Sequence, residues 1–352
     1  MHVTLQDVAK LAGVSTKTVS RVVNNQGEIS KATRQRVQSV IEQLGYRPNI
    51  LARSLVNKRS DTLAVVASGL EYYGPSHTLV GIEQQSYELG YSLLLSLLPR
   101  PDDTHVNPVL DALVARRVDG IIWAVPEIGD NRAWIQTDLL ASLPPIVFLS
   151  MGPQPGLSIV AVDNRTGAAQ ATQHLIDQGR RKIGVITGPL GWWEARERCT
   201  GCRDTLRLAG RELSPRLTVE GDWTAASGER GMRRLLEQQP DVDAVFACND
   251  QMALGALGVL HQLGRRVPQD IAIVGFDNIP ESAYFWPPLT TVHQQLVDAG
   301  CVAVQVLQKL VEAQQQGLDH AETVTSSLAT EIVIRASSLG VPDSTDHTQS
   351  IG

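Results

Sequence analysis

From residue 61 onward, short apolar runs alternate with longer stretches of helical spacing, and no other feature constrains the fold of this chain as strongly. This alternation is typical of parallel sheets that carry helices on both faces. The predicted strands form two series, at 62–68, 92–97, 120–124 and 146–149, and then at 182–187, 217–221, 244–247 and 271–274. Two series predict an α/β body of two lobes with a cleft between them.

The length and composition set the class of protein. A chain of 352 residues is longer than one hydrophobic core supports, so more than one folding unit is expected. No apolar run approaches the roughly 18 residues that a membrane span requires, and the amino terminus lacks the apolar core of a signal peptide. Four cysteines suit a reducing compartment better than a disulfide scaffold. We therefore expect a cytoplasmic protein with no membrane partner.

Charge is distributed unevenly along the chain. Residues 1–60 carry ten Lys and Arg against three Asp and Glu, a net charge of +7, whereas the remainder carries 21 against 34, a net charge of −13. A basic head on an acidic body indicates that the head meets a polyanion. On charge alone, a basic helical domain with no nucleic-acid partner stays open as the alternative.

The head has the helix signals of a DNA-binding motif. Thr4 and Asp7 are spaced as a capping box for a first helix, which ends at Gly13, and Ser15 caps a second helix. Two short helices that share a glycine turn predict a helix-turn-helix, and a third amphipathic stretch at 31–44 closes its core. The amino-terminal part of the second helix of such a motif points at base edges in the major groove.

This geometry assigns the candidate DNA contacts. The predicted base-reading residues are Thr16, Lys17 and Arg21. The predicted phosphate contacts, which set the register of the protein on the duplex, are Ser15, Thr18, Ser20 and Asn24.

The string VTLQDVAKLAGVSTKTVSRVVNN, followed by Tyr46-Arg47-Pro48-Asn49, resembles the head of the lactose repressor family. The resemblance implies a hinge helix that forms on the operator and places an apolar wedge from each of two subunits in the minor groove. Carried over to this chain, the minor-groove hinge residues are Asn49, Ala52 and Leu55, with Leu55 as the wedge. Packing of Leu55 on the body is the alternative.

In the body, polar side chains follow the predicted strands of the second lobe. Ligands of open α/β sheets bind beyond the carboxyl ends of the strands. Asn249 and Asp277 follow two such strands and can hold ligand hydroxyls, Arg198 offers a fork of donors, and Trp223 offers an apolar face for a sugar ring. Taken singly, each also fits a helix cap, an ion pair or a core position.

The family resemblance extends through the body, in GPLGWWEARERCTG, EGDW, NDQMALGAL and PPLTTVHQQL. It implies a sugar effector in the cleft, with contacts from Arg198, Trp223, Asn249, Asp277 and Gln294 and with the segment around Pro75 closing from the first lobe.

Four positions depart from the family's lactose-responsive pattern. Ser150 stands where that pattern has an aspartate, and Trp192, Trp193 and Glu194 stand where it has small residues. The added aromatic surface and the added carboxylate predict a different or longer sugar, such as a disaccharide β-glycoside. Ser150, Trp193 and Glu194 therefore join the candidate effector site.

The expected architecture is an all-α helix-turn-helix head on an α/β two-lobed body similar to periplasmic binding proteins. The predicted parts are the DNA-binding domain 1–46, the hinge 47–60, the body 61–336 and a disordered tail 337–352. Within the body, the first lobe is expected at about 61–161 and 294–322, and the second at about 162–291 and 323–336. The family's tetramerisation helix is not visible, so we expect a homodimer that reads a pseudo-palindromic operator.

These observations predict a transcriptional repressor of sugar-utilisation genes that a β-galactoside or β-glucoside releases from operator DNA. A family regulator with a non-sugar ligand or a corepressor, as in the purine-sensing branch, stays open, and so does an enzyme or a transport-binding protein on the same two-lobed fold. The sequence lacks the common catalytic templates. The pair Cys199 and Cys202 lies inside a predicted helix, which disfavours a redox or metal role. We expect no catalytic residues, metal or cofactor.

Overall fold

The computed structural model describes residues 3–23, 27–46, 59–317 and 322–339, and the chain forms two compact units, Met1–Asp61 and Thr62–Gly352. The helices described in the first unit are α1 (Leu5–Ala12), α2 (Thr16–Val23) and α3 (Lys31–Leu44).

The first unit has the predicted helix-turn-helix. The capping box of α1 is present, because Thr4 accepts a hydrogen bond from the backbone N–H of Asp7 and the Asp7 carboxylate accepts one from that of Thr4. Gly13 ends α1 in the left-handed region, at a φ of +62°. A small core of Val8, Val19 and Val37, among others, holds the three helices together.

The second unit holds the two-lobed body. Its described helices are α4 (Tyr73–Glu88), α5 (Asn107–Ala115), α6 (Thr137–Ser142), α7 (Asn164–Asp177), α8 (Trp193–Leu208), α9 (Ala225–Gln238), α10 (Asp250–Gln262) and α11 (Leu296–Gln315). Its described strands are β1 (Thr62–Ala67), β2 (Ser92–Leu97), β3 (Gly120–Ala124), β4 (Ile146–Leu149), β5 (Ser158–Val162), β6 (Ile183–Thr187), β7 (Thr218–Glu220), β8 (Ala244–Ala247), β9 (Ala272–Val274), β10 (Thr291–Gln294), β11 (Thr325–Leu328) and β12 (Thr330–Val333).

A six-stranded parallel sheet in the order β11-β5-β4-β3-β1-β2 forms the first lobe. Both faces of its four central strands are buried, as expected for a parallel sheet, whereas the edge strands β2 and β11 are more exposed. Leu63 and Val65 of β1 pack in one cluster with residues of α11, and Ala64 and Val66 pack in another with residues of α5. Successive side chains of one strand therefore supply two separate cores.

A four-stranded parallel sheet in the order β7-β6-β8-β9 forms the second lobe. The predicted α/β body with two parallel sheets is confirmed, and all eight predicted strands exist with small shifts at some ends.

Four strands were not predicted, namely β5, β10, β11 and β12. The assignment of 323–336 to the second lobe is wrong for β11, because β11 pairs with β5 in the first-lobe sheet. After β11 the chain forms β12, which pairs antiparallel with β10. The chain thus crosses between the lobes three times, after β5, after β10 and after β11.

The prediction of a disordered tail from residue 337 is also wrong at its start. Ser337 is buried, and its hydroxyl donates to the carbonyl of Ile273 at 2.6 Å and accepts from the N–H of Thr290 at 2.8 Å. Ser338 is buried as well and lies 2.7 Å from the imidazole Nε2 of His174. Residues 340–352 lie outside the described residues. In the part of the chain that the structure describes, no helix combines the length and apolar character needed to cross a membrane.

Candidate functional site

A cavity of about 370 Å³ lies between the two lobes. All nine residues predicted as effector contacts line it, namely Pro75, Ser150, Trp193, Glu194, Arg198, Trp223, Asn249, Asp277 and Gln294. They come from loops and strand ends that are distant in sequence, so the fold brings the whole predicted set together. Their role as effector contacts stays a prediction.

Arg198 is the centre of a buried polar network on the floor of the cavity. It projects from α8, and its Nε donates to Asn164 Oδ1 at 2.7 Å. Its Nη1 donates to the carbonyl of Cys248 at 2.5 Å and lies 3.5 Å from Asp277 Oδ1, while Nη2 donates to Gln294 Oε1 at 3.4 Å. The planar guanidinium thereby sets the positions of side chains from three different segments.

Asp277 is a buried carboxylate in this network. Gln294 Nε2 donates to its Oδ1 at 2.5 Å. Burial raises the pKa of Asp277 to about 6, although Arg198 and Gln294 oppose the shift. A second buried carboxylate, Asp250, accepts from the N–H of Ile279 at 2.8 Å and from Thr291 Oγ1 at 2.5 Å, which anchors the loop that carries Asp277.

Aromatic rings form one wall of the cavity. Tyr72 of the first lobe packs edge-on against Trp192 of the second lobe, with ring centroids 5.5 Å apart, and Trp192 packs in the same way against Trp223 at 6.0 Å. The indole Nε1 of Trp223 is buried and has no hydrogen-bond partner among the described residues. The wall therefore offers both an apolar face and an unused donor.

Glu194 supplies an unused acceptor. Its Oε2 is buried and lacks a hydrogen-bond partner in the described part of the chain. Burial raises the pKa of Glu194, while Arg198, Ser150 and Arg132 oppose that shift. A ligand hydroxyl can donate to this oxygen.

Three lining residues have left-handed backbone conformations that non-glycine residues rarely adopt. The φ angles are +53° at Ser150, +71° at Trp223 and +117° at Asp277. Such conformations persist where the surrounding structure holds them and cluster at ligand sites.

Asn249 has a positioning role in this arrangement. Its Oδ1 caps α10 by accepting from the N–H of Met252 at 2.8 Å, and its Nδ2 donates to the carbonyl of Trp223 at 2.9 Å. The side chain thus ties the Trp223 loop to the start of α10.

The lobes also touch beside the cavity. Glu127 of the first lobe forms an ion pair with Arg196 of the second lobe at 2.6 Å, and its other carboxylate oxygen accepts from the N–H of Gly152 at 3.1 Å. The N–H of Trp193 donates to the carbonyl of Glu127 at 2.9 Å. This interlobe latch, Glu127 with Trp193 and Arg196, borders the candidate site.

Some lining residues were not predicted as contacts. Tyr72 and Tyr73 follow β1 and Asn164 follows β5, so the rule that ligands bind beyond strand ends also applies to them. The prediction covered only the polar residues after the strands of the second lobe, which excludes Tyr72 and Tyr73, and it did not include β5, which excludes Asn164.

The two cysteines that were considered for a redox or metal role are buried in the protein. Cys199 and Cys202 lie inside α8 as free, buried thiols, and burial raises the pKa of both. No group of side chains within the described ranges could hold a metal ion.

In the head, the three predicted base-reading residues, Thr16, Lys17 and Arg21, are all exposed on α2. The hydroxyl of Ser15 accepts from the N–H of Thr18 at 3.1 Å, so Ser15 caps α2.

The remaining predicted DNA contacts divide between two groups. Thr18 and Ser20 are half-buried on α2. The predicted contacts Asn24, Asn49, Ala52 and Leu55 lie outside the described residues.

Two family models match the chain. Residues 4–49 match the bacterial regulatory proteins of the lacI family, and residues 172–338 match a periplasmic binding protein-like domain. Among curated proteins, the HTH-type transcriptional repressor PurR of Haemophilus influenzae is 35% identical over 95% of this chain and 98% of its own. The ribose operon repressor of Escherichia coli is 38% identical over 86% of this chain and 92% of its own.

Two solved structures are also similar. The lac repressor dimer bound to operator and the anti-inducer ONPF has a TM-score of 0.86 and 32% identity, and covers 97% of this chain and 100% of its own. The complex of the transcriptional regulator CelR with cellobiose has a TM-score of 0.70 and 35% identity, and covers 95% of this chain and 99% of its own. The two curated relatives, PurR and the ribose operon repressor, are both named as repressors. The chain therefore belongs to the lacI family of bacterial regulatory proteins, as a DNA-binding transcriptional repressor with a ligand-binding body.

Proposed function

We propose that this repressor controls sugar-utilisation genes and that a β-linked disaccharide, bound in the cavity between the lobes, releases it from operator DNA. The observation that carries this proposal is the pairing of an aromatic wall with a polar floor in one cavity. Tyr72, Trp192 and Trp223 form the wall, and Arg198 and Asp277 belong to the floor.

A saccharide matches this pairing. Its ring presents C–H groups to aromatic faces and hydroxyls to hydrogen-bonding side chains. The unused acceptor of Glu194 and the unused donor of Trp223 match the double character of a hydroxyl, which both donates and accepts. Leaving either group buried without a partner costs about 1–3 kcal/mol, so a ligand that satisfies both gains affinity.

The similar proteins support a sugar and favour a disaccharide. One is named for the ribose operon, and another was solved with cellobiose at 35% identity. A cavity of about 370 Å³ lies at the lower end of the range for small-molecule sites, which suits a disaccharide.

On the DNA side, Thr16, Lys17 and Arg21 read bases, and Ser15, Thr18, Ser20 and Asn24 hold phosphates. In this proposal two copies of the chain form a dimer on a pseudo-palindromic operator, and Asn49, Ala52 and Leu55 contact the minor groove. The saccharide contacts both lobes, so it favours one lobe arrangement over another. A few-hundred-fold loss of operator affinity requires about 3 kcal/mol of coupling.

A corepressor is the alternative. Its specific support is the repressor PurR, which is 35% identical over 95% of this chain. A corepressor tightens operator binding, whereas an inducer weakens it, so the two proposals differ in the sign of one measured change.

The test starts from an operator selected from random duplexes with the full-length protein. Its affinity is then measured by fluorescence anisotropy with cellobiose, lactose, ribose and adenine as separate additives. Tryptophan emission reports binding to the body, because three of the six tryptophans line the cavity.

We expect a β-linked disaccharide to quench or shift the tryptophan emission and to weaken operator binding by about 100-fold or more. A purine base that tightens operator binding, together with no response to any saccharide, would overturn the proposal in favour of the corepressor.

A further inference from the structure

The loop between β9 and β10, residues 275–290, carries Asp277 into the candidate site. Its backbone has positive φ angles at two successive residues, +117° at Asp277 and +54° at Asn278. Neither residue is glycine, so these conformations persist only where neighbouring groups hold them. The place of the Asp277 carboxylate therefore depends on the side chains that hold this loop.

Asp250 holds the loop from one side. Its buried carboxylate accepts from the N–H of Ile279 at 2.8 Å and from Thr291 Oγ1 at 2.5 Å. The same Thr291 hydroxyl accepts from the N–H of Asn278 at 3.3 Å. These bonds fix the loop backbone directly after Asp277, but they leave the Asn278 side chain to another partner.

That partner is Arg335, near the carboxyl end of the described chain. Its Nη2 donates to Asn278 Oδ1 at 2.7 Å. Its Nη1 donates to the carbonyl of Leu289 at 2.7 Å and to Ser282 Oγ at 3.2 Å. One guanidinium thus joins the beginning, the middle and the end of the loop, which requires donors in the fixed fork that arginine has and lysine lacks.

The backbone of Arg335 is tied to the same loop. Its N–H donates to Thr290 Oγ1 at 2.8 Å, and its carbonyl accepts from that hydroxyl at 2.9 Å. Two residues later, the N–H of Ser337 donates to the carbonyl of Pro288 at 2.9 Å. Arg335 is therefore fixed against the loop, although it is not itself one of the residues that line the candidate site.

We propose that Arg335 is a positioning residue for the saccharide site, which holds Asn278 and thereby keeps the neighbouring Asp277 carboxylate where Arg198 and Gln294 meet it. This inference rests on the proposed function. Asp277 Oδ1 lies 2.5 Å from Gln294 Nε2 and 3.5 Å from Arg198 Nη1, so a shift of the Asp277 backbone alters the polar floor of the cavity. The carboxyl-terminal segment is in this view a working part of the effector site.

The test measures the affinity of the full-length protein for cellobiose and for lactose by isothermal titration calorimetry. Arg335→Lys keeps the positive charge but cannot reach the three acceptors. Arg180→Lys is the matched control, because Arg180 is likewise half-buried in the second lobe and donates to two backbone carbonyls, those of Asp243 and Pro268, away from the candidate site.

A double-mutant cycle distinguishes positioning from general support of the fold. Asn278→Ala removes the acceptor through which Arg335 is inferred to act. If that inference is right, the two substitutions act on the same bond, and Arg335→Lys costs almost no further affinity in the Asn278→Ala background. Any cost of alanine at this backbone conformation is present in both members of the pair and cancels.

For the disaccharide that binds the wild type, we expect Arg335→Lys and Asn278→Ala each to weaken binding by about tenfold or more, the loss of one or two hydrogen bonds to a charged group. We expect Arg180→Lys to stay within about twofold of the wild type. If Arg335→Lys does not fold, Asn278→Ala alone decides, because it leaves the other bonds of Arg335 intact.

An unchanged affinity in either site variant, a loss no larger than that of Arg180→Lys, or additive losses in the double variant would overturn the positioning role. The proposed function would still stand in each of these cases, since the wild type binds the sugar. Failure of both disaccharides to bind the wild type would overturn both.

Discussion

Gly188 sets the position of the Trp223 ring, and Gly188→Ala is the sharpest test of the aromatic wall. A Cβ at residue 188 would lie 2.2 Å from two ring atoms of Trp223 and 2.5 Å from a third, far inside van der Waals contact. The ring cannot yield easily, because Trp192 packs edge-on against it at 6.0 Å and the Arg198 guanidinium lies 5.4 Å from its centroid. The backbone of Trp223 is itself in the left-handed region. Gly188→Ala must therefore displace the indole from the cavity wall.

Overpacking of this kind costs about 1–3 kcal/mol. If ligand binding needs the ring in its native place, the same free energy is lost from binding, which corresponds to a fall in affinity of about 5- to 150-fold. Two quantities are measured for each variant. The affinity for the disaccharide is obtained by titrating it into the protein, and the free energy of unfolding is obtained from urea unfolding followed by tryptophan emission. Gly191→Ala, in the same loop as Gly188, is the matched control, since a Cβ there makes an ordinary 3.6 Å contact with Ile128 of the first lobe.

A double-mutant cycle separates the clash from other effects. In a Trp223→Ala background the obstructing ring is gone, so Gly188→Ala should cost almost nothing more in affinity or stability. Native affinity and stability in Gly188→Ala alone, or an undiminished cost in the double variant, would refute the assignment of Trp223 as the ring that Gly188 accommodates.

Three further predictions follow from the network and the head. Arg198→Lys keeps the positive charge but loses the fork of hydrogen bonds, so saccharide affinity should fall by about 100-fold or more. Operator binding measured without saccharide should stay at the wild-type level. A variant that the saccharide still releases normally from operator DNA contradicts this prediction. Burial raises the pKa of Asp277 to about 6 from an ordinary 3.8, so the stability that the protonated carboxyl contributes is fully present below pH 3.8 and is lost as pH rises through about 6. The unfolding free energy of the wild type, measured relative to that of Asp277→Asn, should therefore fall between pH 4 and pH 7. A difference between the two proteins that does not change with pH refutes the pKa shift. Ser15→Ala removes the cap of α2, which costs about 0.5–2 kcal/mol of stability and should appear as faster hydrogen exchange of the α2 amides. The same variant should weaken binding to all operators by a similar factor. Lys17→Ala, in contrast, should change which operators the protein prefers.

The sequence predicts a helix or strand correctly where the features that specify it lie within that element's own consecutive residues. The helices of the head have caps, glycine stops and apolar faces in consecutive residues, and α3 has the predicted bounds. The buried strands of both lobes are apolar runs, and β3, β4 and β8 likewise have the predicted bounds. Such strands are recognisable because both faces of a parallel sheet are covered.

Three of the four unpredicted strands lack this signal, whereas β5 (SIVAV) is a buried apolar run like the strands that were predicted. The sequences of β10 (TVHQ), β11 (TSSL) and β12 (TEIV) are short and largely polar, and each becomes a strand only because distant segments pair with it. The start of the tail was misjudged for the same reason, since Ser337 and Ser338 are buried by partners far away in the sequence. In the candidate site, strand-end position and family resemblance together found the polar floor. The unused atoms of Glu194 and Trp223 could be recognised only from the folded structure.

Because the chain crosses between the lobes three times, the parts of the first lobe are completed at different times during synthesis on the ribosome. The strands β1 to β4 are complete by Leu149, but the first-lobe sheet gains its last strand only at Leu328. One face of β1 also waits for α11 to cover it. At about 5–20 residues per second, roughly 10 to 40 s separate these points. The head can fold early, whereas the nascent first lobe exposes an apolar face until the chain is nearly finished. Its maturation therefore depends on whatever shields that face in the interval.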